Sequence, residues 1–327
     1  MKASHTETDR RCRPLLADAR TVLVSMNPHA GTQARHAQAA LIVQTLRTAG
    51  FRVELTTDPE ALADTALTLN KEGALRTVLA IGGDGTAAVV RKAVPLDVPL
   101  VVVPMGTENL LGRYLRQSTA PDAIRDVVEN GLVVDLDLCR ANGQYFLSMM
   151  SAGFDAAVVR SLHENRRGNI RHLDYLGPVL QTARRYRFPT IRVCWDSASI
   201  EPTECRWLFA FNLPLYALDL PIAPAANGSD GLLDVCAWEQ GSIWSVARYL
   251  WHVFRRTHLL LPDVRQYRVH RFRVESTDGS QVSYQLDGDF AGVLPLEVEV
   301  LPGNLRLLVS TLTAARLGFD PSHLPGK

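Results

Sequence analysis

The residues with the clearest chemical potential lie at 82–86, where three glycines, an aspartate and a threonine follow an apolar run. Thr77–Ile81 has the composition of a buried strand and Ala87–Val94 that of a helix, so the glycines predict a tight turn with positive φ values and room for close approach. The N–H groups of such a turn, backed by a helix N-terminus, suit a phosphate. Asp84 would repel that phosphate unless a cation lay between them, which indicates Mg²⁺. The alternative is that Asp84 and Thr86 only cap the helix.

Two further loops follow predicted strands. Asn27–Thr32 comes after Arg20–Met26, and Met105–Asn109 comes after Pro99–Pro104. Helical segments separate the strands, and this alternation indicates a parallel sheet that is covered on both faces. Ligands of open α/β sheets bind at the carboxyl ends of the strands, so the recurrence of loops at these ends favours a phosphate site.

From about residue 130 onward the pattern changes to short strands separated by turn residues such as Asn142-Gly143 and Pro302-Gly303. Such spacing is typical of antiparallel sheets, so a second domain is predicted to begin near 135–140. Two helical segments, Ser161–Arg187 and Ile243–His258, interrupt it. The predicted strands are Val133–Leu138, Gln144–Met150, Ile191–Trp195, Arg206–Phe211, Leu232–Trp238, Val269–Glu275, Val282–Leu286, Leu296–Val300 and Leu305–Val309.

The composition is that of a soluble globular chain, with 46% hydrophobic residues, 21% charged residues and a formal net charge of +1. Because the charge is near zero, no nucleic-acid partner is expected. The five cysteines lack the CxxC spacing, which argues against a disulfide framework and a zinc site and indicates a reducing compartment. No secretory signal and no transmembrane segment are visible, so a cytoplasmic location is expected.

Arginines are nevertheless concentrated in two stretches, 160–192 and 248–273. Trp244, Trp251 and Phe254 lie beside or within the second stretch. Basic residues next to tryptophan suit an anionic membrane surface. The alternative is a helix whose apolar face enters the core and whose arginine face is solvated.

Taken in order, these motifs resemble the diacylglycerol kinase catalytic-domain family, which includes sphingosine and ceramide kinases and bacterial lipid kinases. The resemblance extends from about Val22 to Val309. Gly82–Thr86 alone is shared with nicotinamide-nucleotide kinases and phosphofructokinases, whereas the ordered set is more specific to lipid kinases. The set comprises Asn27–Gly31, Gly82–Thr86, Pro104–Asn109, Asp137, Gly153–Ala156, Ile222–Pro224, Asp230–Asp234 and Asp287–Asp289.

The resemblance implies a two-domain α/β plus β fold. An α/β parallel-sheet nucleotide-binding domain is joined to a β-sandwich-like domain, and the active site lies in the cleft between them. The domains expected are a polar N-terminal tail at 1–19, the nucleotide-binding domain at 20–136, the lipid-substrate domain at 137–310 and a C-terminal segment at 311–327 that can return to the first domain.

The resemblance also implies roles for single residues. Asp84 would organise Mg²⁺ and the phosphates of ATP. Asp287 matches the carboxylate taken to deprotonate the lipid hydroxyl, with Asp289 after it where the family usually has Glu. Asp230 matches a second, structural metal site, although Asp-Gly is also a common turn. The implied cofactor-binding residues are Asn27, Gly31, Gly82, Gly83, Gly85, Thr86, Gly106, Thr107 and Asn109.

The implied function is ATP- and Mg²⁺-dependent phosphorylation of a hydroxyl of a diacylglycerol-like or sphingoid lipid. The expected partners are ATP, the lipid and the anionic inner face of the membrane, and a homodimer is left open. One alternative is a kinase of a soluble substrate such as a nicotinamide nucleotide. Another alternative is a catalytically weak nucleotide-binding paralogue, because Leu110 stands where many members have Asp and Asp289 stands where the family usually has Glu. Because Asp84 is predicted at an exposed turn, Asp84→Asn is expected to abolish turnover without unfolding the chain.

Overall fold

The computed structural model describes residues 12–15, 18–26, 33–106, 108–164, 182 and 184–319. Contacts divide the chain into two units, the first formed by Met1–Asp137 with Pro302–Lys327 and the second by Leu138–Leu301. The strands are β1 (Cys12–Pro14), β2 (Thr21–Met26), β3 (Arg52–Thr56), β4 (Leu75–Gly82), β5 (Leu100–Pro104), β6 (Leu132–Ala141), β7 (Gln144–Phe146), β8 (Met149–Gly153), β9 (Ile191–Trp195), β10 (Thr203–Cys205), β11 (Trp207–Phe211), β12 (Leu233–Trp238), β13 (Val264–Val269), β14 (Arg271–Ser276), β15 (Ser283–Leu286), β16 (Asp289–Val293) and β17 (Leu296–Val309). The helices are α1 (Gln33–Thr48), α2 (Pro59–Lys71), α3 (Asp84–Ala93), α4 (Leu110–Tyr114), α5 (Pro121–Asn130), α6 (Phe154–Glu164), α7 (Ile243–Phe254) and α8 (Thr311–Arg316).

The first unit contains the predicted parallel sheet. Its strand order is β3-β2-β4-β5-β17, and every one of these neighbouring pairs is parallel. All eight residues of β4 are buried, as expected for a strand covered on both faces. Apolar residues of α1 and α5 pack with β2, β4 and β5 in one core cluster. The sheet therefore presents the loops after β4 and β5 at the same edge.

The N-terminal segment differs from the polar tail predicted over 1–19. Residues Cys12–Pro14 form β1, which pairs antiparallel with the start of β6. Cys12 is buried, and the Arg13 guanidinium donates to Asp135 at 2.7 Å. This segment is ordered by strand pairing and an ion pair with residues far away in the chain, which its polar composition did not reveal.

The predicted turn at Pro302-Gly303 is wrong, because β17 continues through it as one strand. Gly303 has a φ of +68°, and its N–H donates to Asp137 Oδ1 at 2.9 Å. The glycine therefore accommodates a local irregularity rather than a chain reversal. The second domain was predicted to extend to residue 310. In the structure the chain belongs to the first unit from Pro302 onward, because the end of β17 pairs with β5 at Leu307 and Leu100. Thr313 of α8, in turn, donates to the Leu115 carbonyl.

The second unit is built from antiparallel sheets, as the β-sandwich-like prediction requires. One sheet has the order β13-β12-β11-β8-β15-β16, and the strands β10, β9, β14 and the start of β17 form another antiparallel set. Side chains from both sets share one apolar core cluster. The sequence did not predict β13 and β16, which are the edge strands of the six-stranded sheet; β13 is rich in exposed polar residues, and β16 is only five residues long and begins at the exposed Asp289.

Both helical segments that the sequence predicts in the second unit differ in their bounds from the described structure. Helix α6 begins at Phe154 rather than Ser161, and 165–181 of the predicted helix lie outside the described residues. Helix α7 begins in a capping box at Ser242 and ends at Phe254, shortly before Arg256 adopts a left-handed φ of 56°. Among the described residues, no helix is both long and apolar enough to cross a membrane.

Candidate functional site

The turn between β4 and α3 uses glycine for close packing. A Cβ at Gly82 would lie 2.3 Å from Thr86 Oγ1, and a Cβ at Gly106 would lie 2.4 Å from the Gly83 Cα. None of Gly82, Gly83, Gly85 and Gly106 has a positive φ, so the predicted conformational reason for these glycines is wrong. The glycines instead let the loops after β4 and β5 meet backbone to backbone.

Asn109 closes the loop after β5. Its backbone is left-handed, with a φ of 51°, and its side chain accepts from the Gly106 N–H at 2.7 Å and donates to the Gly106 carbonyl at 2.9 Å. The Met105 N–H donates to the Gly82 carbonyl at 2.8 Å, which joins this loop to the end of β4. Three predicted cofactor-binding residues, Asn27, Gly31 and Thr107, lie outside the described residues.

Asp84 ties the same two loops through its side chain. Its carboxylate accepts from the N–H groups of Leu110 at 2.8 Å and Leu111 at 2.9 Å, in the first turn of α4. The residue is only 7% exposed, so the prediction of an exposed turn is wrong. Burial raises the pKa of Asp84, and the two N–H donors oppose that shift. Position 110, where a second carboxylate was expected, contributes its backbone N–H instead.

The start of α3 offers N–H groups for an anion. Gly83 is the N-cap of this ten-residue helix and makes no side-chain cap hydrogen bond. The first N–H groups of a helix lack intrahelical partners and carry a partial positive charge. Gly85 and Thr86 lie half-buried in this first turn. A phosphate bound at this helix start would accept from these N–H groups, and the phosphate site stays a prediction.

The carboxylates near this turn fit a Mg²⁺ site in which the protein supplies one or two ligands. Glu108 lies close enough to Asp84 to contribute to the raised pKa of Asp84. Within the described part of the chain, no group of three or more His, Cys, Asp or Glu residues could hold a metal ion. Protein-bound Mg²⁺ commonly uses one or two carboxylates and completes its shell with phosphate oxygens and waters. Asp84 thus fits a Mg²⁺ ion that arrives with a nucleotide, and Mg²⁺ binding at Asp84 stays a prediction.

Asp287 lies in a two-residue hairpin loop in the second unit. It connects β15 to β16, where Leu286 pairs with Asp289, and the φ values of Asp287 and Gly288 are 50° and 91°. Two positive φ values are typical of a type I′ turn, for which Asp-Gly is a preferred sequence. Asp289 is exposed at the start of β16.

The side chain of Asp287 has a further role beyond the turn. Its carboxylate accepts from three consecutive N–H groups, those of Leu147 at 2.7 Å, Ser148 at 2.8 Å and Met149 at 3.0 Å. The side chain of Gln285 accepts from the Gly288 N–H at 2.7 Å. The hairpin loop is therefore held by the bonds of Asp287 to residues 147–149 and by the bond of Gln285 to Gly288. Its assignment as a catalytic carboxylate stays a prediction.

A buried carboxylate of the Gly153–Ala156 motif, to which the sequence analysis gave no role, lies near the side chain of Gln285. Asp155, in the first turn of α6, accepts from the hydroxyls of Ser151 and Tyr216, and Gln285 Nε2 lies 3.5 Å from it. Burial raises the pKa of Asp155. Asp155 resembles Asp84 in following a glycine at a strand-to-helix junction, and that pattern could have identified it. Tyr216 and Gln285 carry no such local signal.

Asp230, the second predicted metal residue, belongs to a turn held by other partners. Its carboxylate accepts from the Leu232 N–H at 3.0 Å and from the Arg268 guanidinium. Gly231 has a φ of +74°, as a turn at this position requires. The observed contacts are therefore those of a β-turn with an ion pair, and metal binding at Asp230 stays a prediction.

Two family models match the chain. The diacylglycerol kinase catalytic domain matches residues 21–141, and the YegS C-terminal NAD kinase beta sandwich-like domain matches residues 148–309. This chain belongs to the diacylglycerol kinase catalytic-domain family. The glycine turn and Asp84 fall in the first match, and Asp155 and Asp287 fall in the second.

Two curated relatives carry the name diacylglycerol kinase. That of Mycobacterium tuberculosis is 29% identical over 238 residues, which are 71% of this chain and 76% of the relative. That of Bacillus subtilis is 25% identical over 300 residues, which are 89% of this chain and 97% of the relative. The family is thus represented by relatives that align with most of this chain.

Solved structures share the fold of this family member. A diacylglycerol kinase from Bacillus anthracis has a TM-score of 0.63 at 18% identity and covers 90% of this chain and 98% of its own. An NAD kinase from Archaeoglobus fulgidus in complex with ATP has a TM-score of 0.51 at 13% identity and covers 91% and 97%. At these identities the likeness shows the fold.

The glycine contacts predict unequal effects of two matched substitutions. Gly106→Ala should lower the free energy of unfolding by about 1–3 kcal/mol, because the new Cβ overlaps backbone that cannot rotate away. Gly83→Ala should cost less, since its Cβ would meet the Gly106 Cα at 3.3 Å. Urea denaturation of the two variants measures the difference. Equal losses would contradict the proposed backbone contact.

Asp84→Asn should destabilise the protein, in contrast to the expectation from an exposed turn. The amide NH₂ can accept no hydrogen bond, so one of the two N–H donors of α4 would be left buried without an acceptor. The expected loss is about 1–3 kcal/mol in urea denaturation. Asp289→Asn, at an exposed residue, is the control and should change stability by less than about 0.5 kcal/mol. An unchanged stability of Asp84→Asn would mean that the carboxylate does not hold the loops.

Proposed function

We infer that this member of the kinase family transfers the terminal phosphoryl group of ATP to a hydroxyl of a diacylglycerol-like or sphingoid lipid at a membrane surface. The observation that carries the proposal is the junction of the two glycine loops, held by Asp84 beside the uncapped N-terminus of α3. The names of the relatives from Mycobacterium tuberculosis and Bacillus subtilis support a lipid acceptor.

The phosphates of ATP are assigned to the N–H groups at the start of α3. Gly85 lies half-buried in the first turn of α3 and has no side chain, so a phosphate can approach that backbone closely. A Mg²⁺ ion arriving with ATP would neutralise charge on the phosphates. Asp84 is the carboxylate assigned to that ion, and its fixed orientation comes from the N–H groups of α4. The NAD kinase of the same fold was solved with ATP, which supports this choice of nucleotide.

We assign Asp287 as the carboxylate that contacts the acceptor hydroxyl. Three N–H donors stabilise the negative charge of this carboxylate and fix its direction. Phosphoryl transfer needs orientation of the nucleophile more than a strong base. Asp287 is thus suited to orient the hydroxyl and receive its proton late in the transfer, whereas Asp289 is exposed and shows no comparable anchoring.

Paired substitutions separate these two carboxylates. Asp287→Asn should lower kcat by about 100-fold or more and should also lower the free energy of unfolding, because its NH₂ would face backbone N–H donors. Asp289→Asn should keep the wild-type stability and retain kcat within about tenfold. Steady-state kinetics with urea denaturation on both variants tests this. The reverse order of the kcat losses would make Asp289 the principal carboxylate.

The alternative substrate is a soluble nicotinamide nucleotide, favoured by the match of the second unit to an NAD kinase beta sandwich-like domain. Incubation with γ-labelled ATP and Mg²⁺ should be run in parallel with a total lipid extract in detergent micelles and with NAD. Label in the organic phase is the expected result, and mass spectrometry then identifies the lipid. Label in NADP would support the alternative. ATP binding without either product would indicate a nucleotide-binding paralogue without turnover.

A further inference from the structure

Helix α7 carries large apolar side chains on both of its faces. Val246, Tyr249 and Val253 are buried in the core of the second unit. On the other face Trp244 is 82% exposed and Trp251 is 61% exposed. A surface helix normally turns polar residues to solvent, so the second apolar face requires an explanation other than packing within the unit.

The exposed apolar residues lie on one side of the helix, with Ala247 and Arg248 between Trp244 and Trp251. Trp244 and Trp251 are seven residues apart and therefore lie on the same side of the helix two turns apart. Phe254, which is 68% exposed, lies one turn beyond Trp251. Leu260, 82% exposed, lies in the short 3₁₀ turn His258–Leu260, which contacts α7. We call Trp244, Trp251, Phe254 and Leu260, together with Arg255 and Arg256, the α7 face.

The positive charge of the α7 face is not compensated nearby. Most arginines of the 248–273 stretch form ion pairs, namely Arg248 with Asp263, Arg265 with Glu239, Arg268 with Asp230, Arg271 with Glu297 and Arg273 with Glu275. Arg255 and Arg256 join no carboxylate among the described residues, and the Arg255 guanidinium lies 5.7 Å from the Trp251 ring centre. The segment 240–262 contains no Asp or Glu.

We propose that the α7 face docks this protein on an anionic lipid surface. Tryptophan is suited to the headgroup region because its ring is apolar and its N–H is polar, and guanidinium groups bind lipid phosphates through paired hydrogen bonds. The choice of a lipid as the partner rests on the proposed function. A second copy of the chain is less suitable, because a two-fold contact through this face would bury Arg255 and Arg256 of both copies, and the α7 face has no carboxylate to pair with them.

The test is co-sedimentation of the full chain with vesicles of phosphatidylcholine, with and without phosphatidylglycerol, over a series of NaCl concentrations. Binding should require phosphatidylglycerol and weaken as salt rises. Arg255→Glu/Arg256→Glu should lower the partition coefficient by about 25-fold or more, since each basic residue contributes about fivefold. Trp251→Ser/Phe254→Ser should lower it by about tenfold or more. Emission of Trp244 and Trp251 should shift to shorter wavelength when vesicles are added.

Two control variants match these changes in the other unit. Lys71→Glu/Arg116→Glu makes the same change in net charge at exposed positions, and Leu312→Ser removes an apolar side chain that is 81% exposed. Both should bind vesicles as the wild type does. No binding by the wild type, or equal losses for the controls, would overturn the proposal. A wild-type dimer that Trp251→Ser/Phe254→Ser converts to monomer in sedimentation velocity, without vesicle binding, would assign the face to a second copy. None of these measurements uses ATP, so a missing kinase activity would leave their outcome unaffected.

Discussion

The buried hydrogen bonds between the Asp84 carboxylate and the N–H groups of Leu110 and Leu111 hold the first unit's site together. They join the loop after β4 to the loop after β5, and the contact of Gly83 with Gly106 requires that junction. The N-terminus of α3 has no side-chain cap, because its N-cap residue is Gly83. The Asp84 side chain thus fixes the start of α4, while the start of α3 is capped by no side chain of the N-cap residue.

The second unit uses carboxylates in the same way. Asp287 holds three consecutive backbone N–H groups, and Asp155 holds the hydroxyls of Ser151 and Tyr216. In a poorly hydrated environment, a carboxylate is stable only when donors surround it, and those donors in turn fix its direction. Asp84 and Asp287 therefore organise backbone N–H groups and Asp155 organises side-chain hydroxyls, so any chemistry that these three carboxylates perform is carried out by groups that cannot rotate freely.

For helix α7, each of the two interpretations of the sequence pattern describes one face of the observed helix. The pattern of arginine near tryptophan allowed a core-facing helix or a lipid-facing one. The structure has an apolar core face at Tyr249 and a separate exposed face at Trp244 and Trp251. The count of arginines overstated the available charge, because five of the seven arginines in the 248–273 stretch form ion pairs with carboxylates, among them Arg265 with Glu239 and Arg271 with Glu297.

The sequence by itself determined the parallel sheet and the glycine loops at its strand ends, since apolar continuity and clusters of turn residues are local properties. It did not predict the edge strands β13 and β16, whose exposed residues carry no apolar pattern. Only the tertiary structure decided the partners of the carboxylates. Asp84 meets Leu110 across 26 residues and Asp287 meets Leu147 across 140 residues, and no local pattern encodes a hydrogen bond to a backbone N–H that the fold brings from that distance.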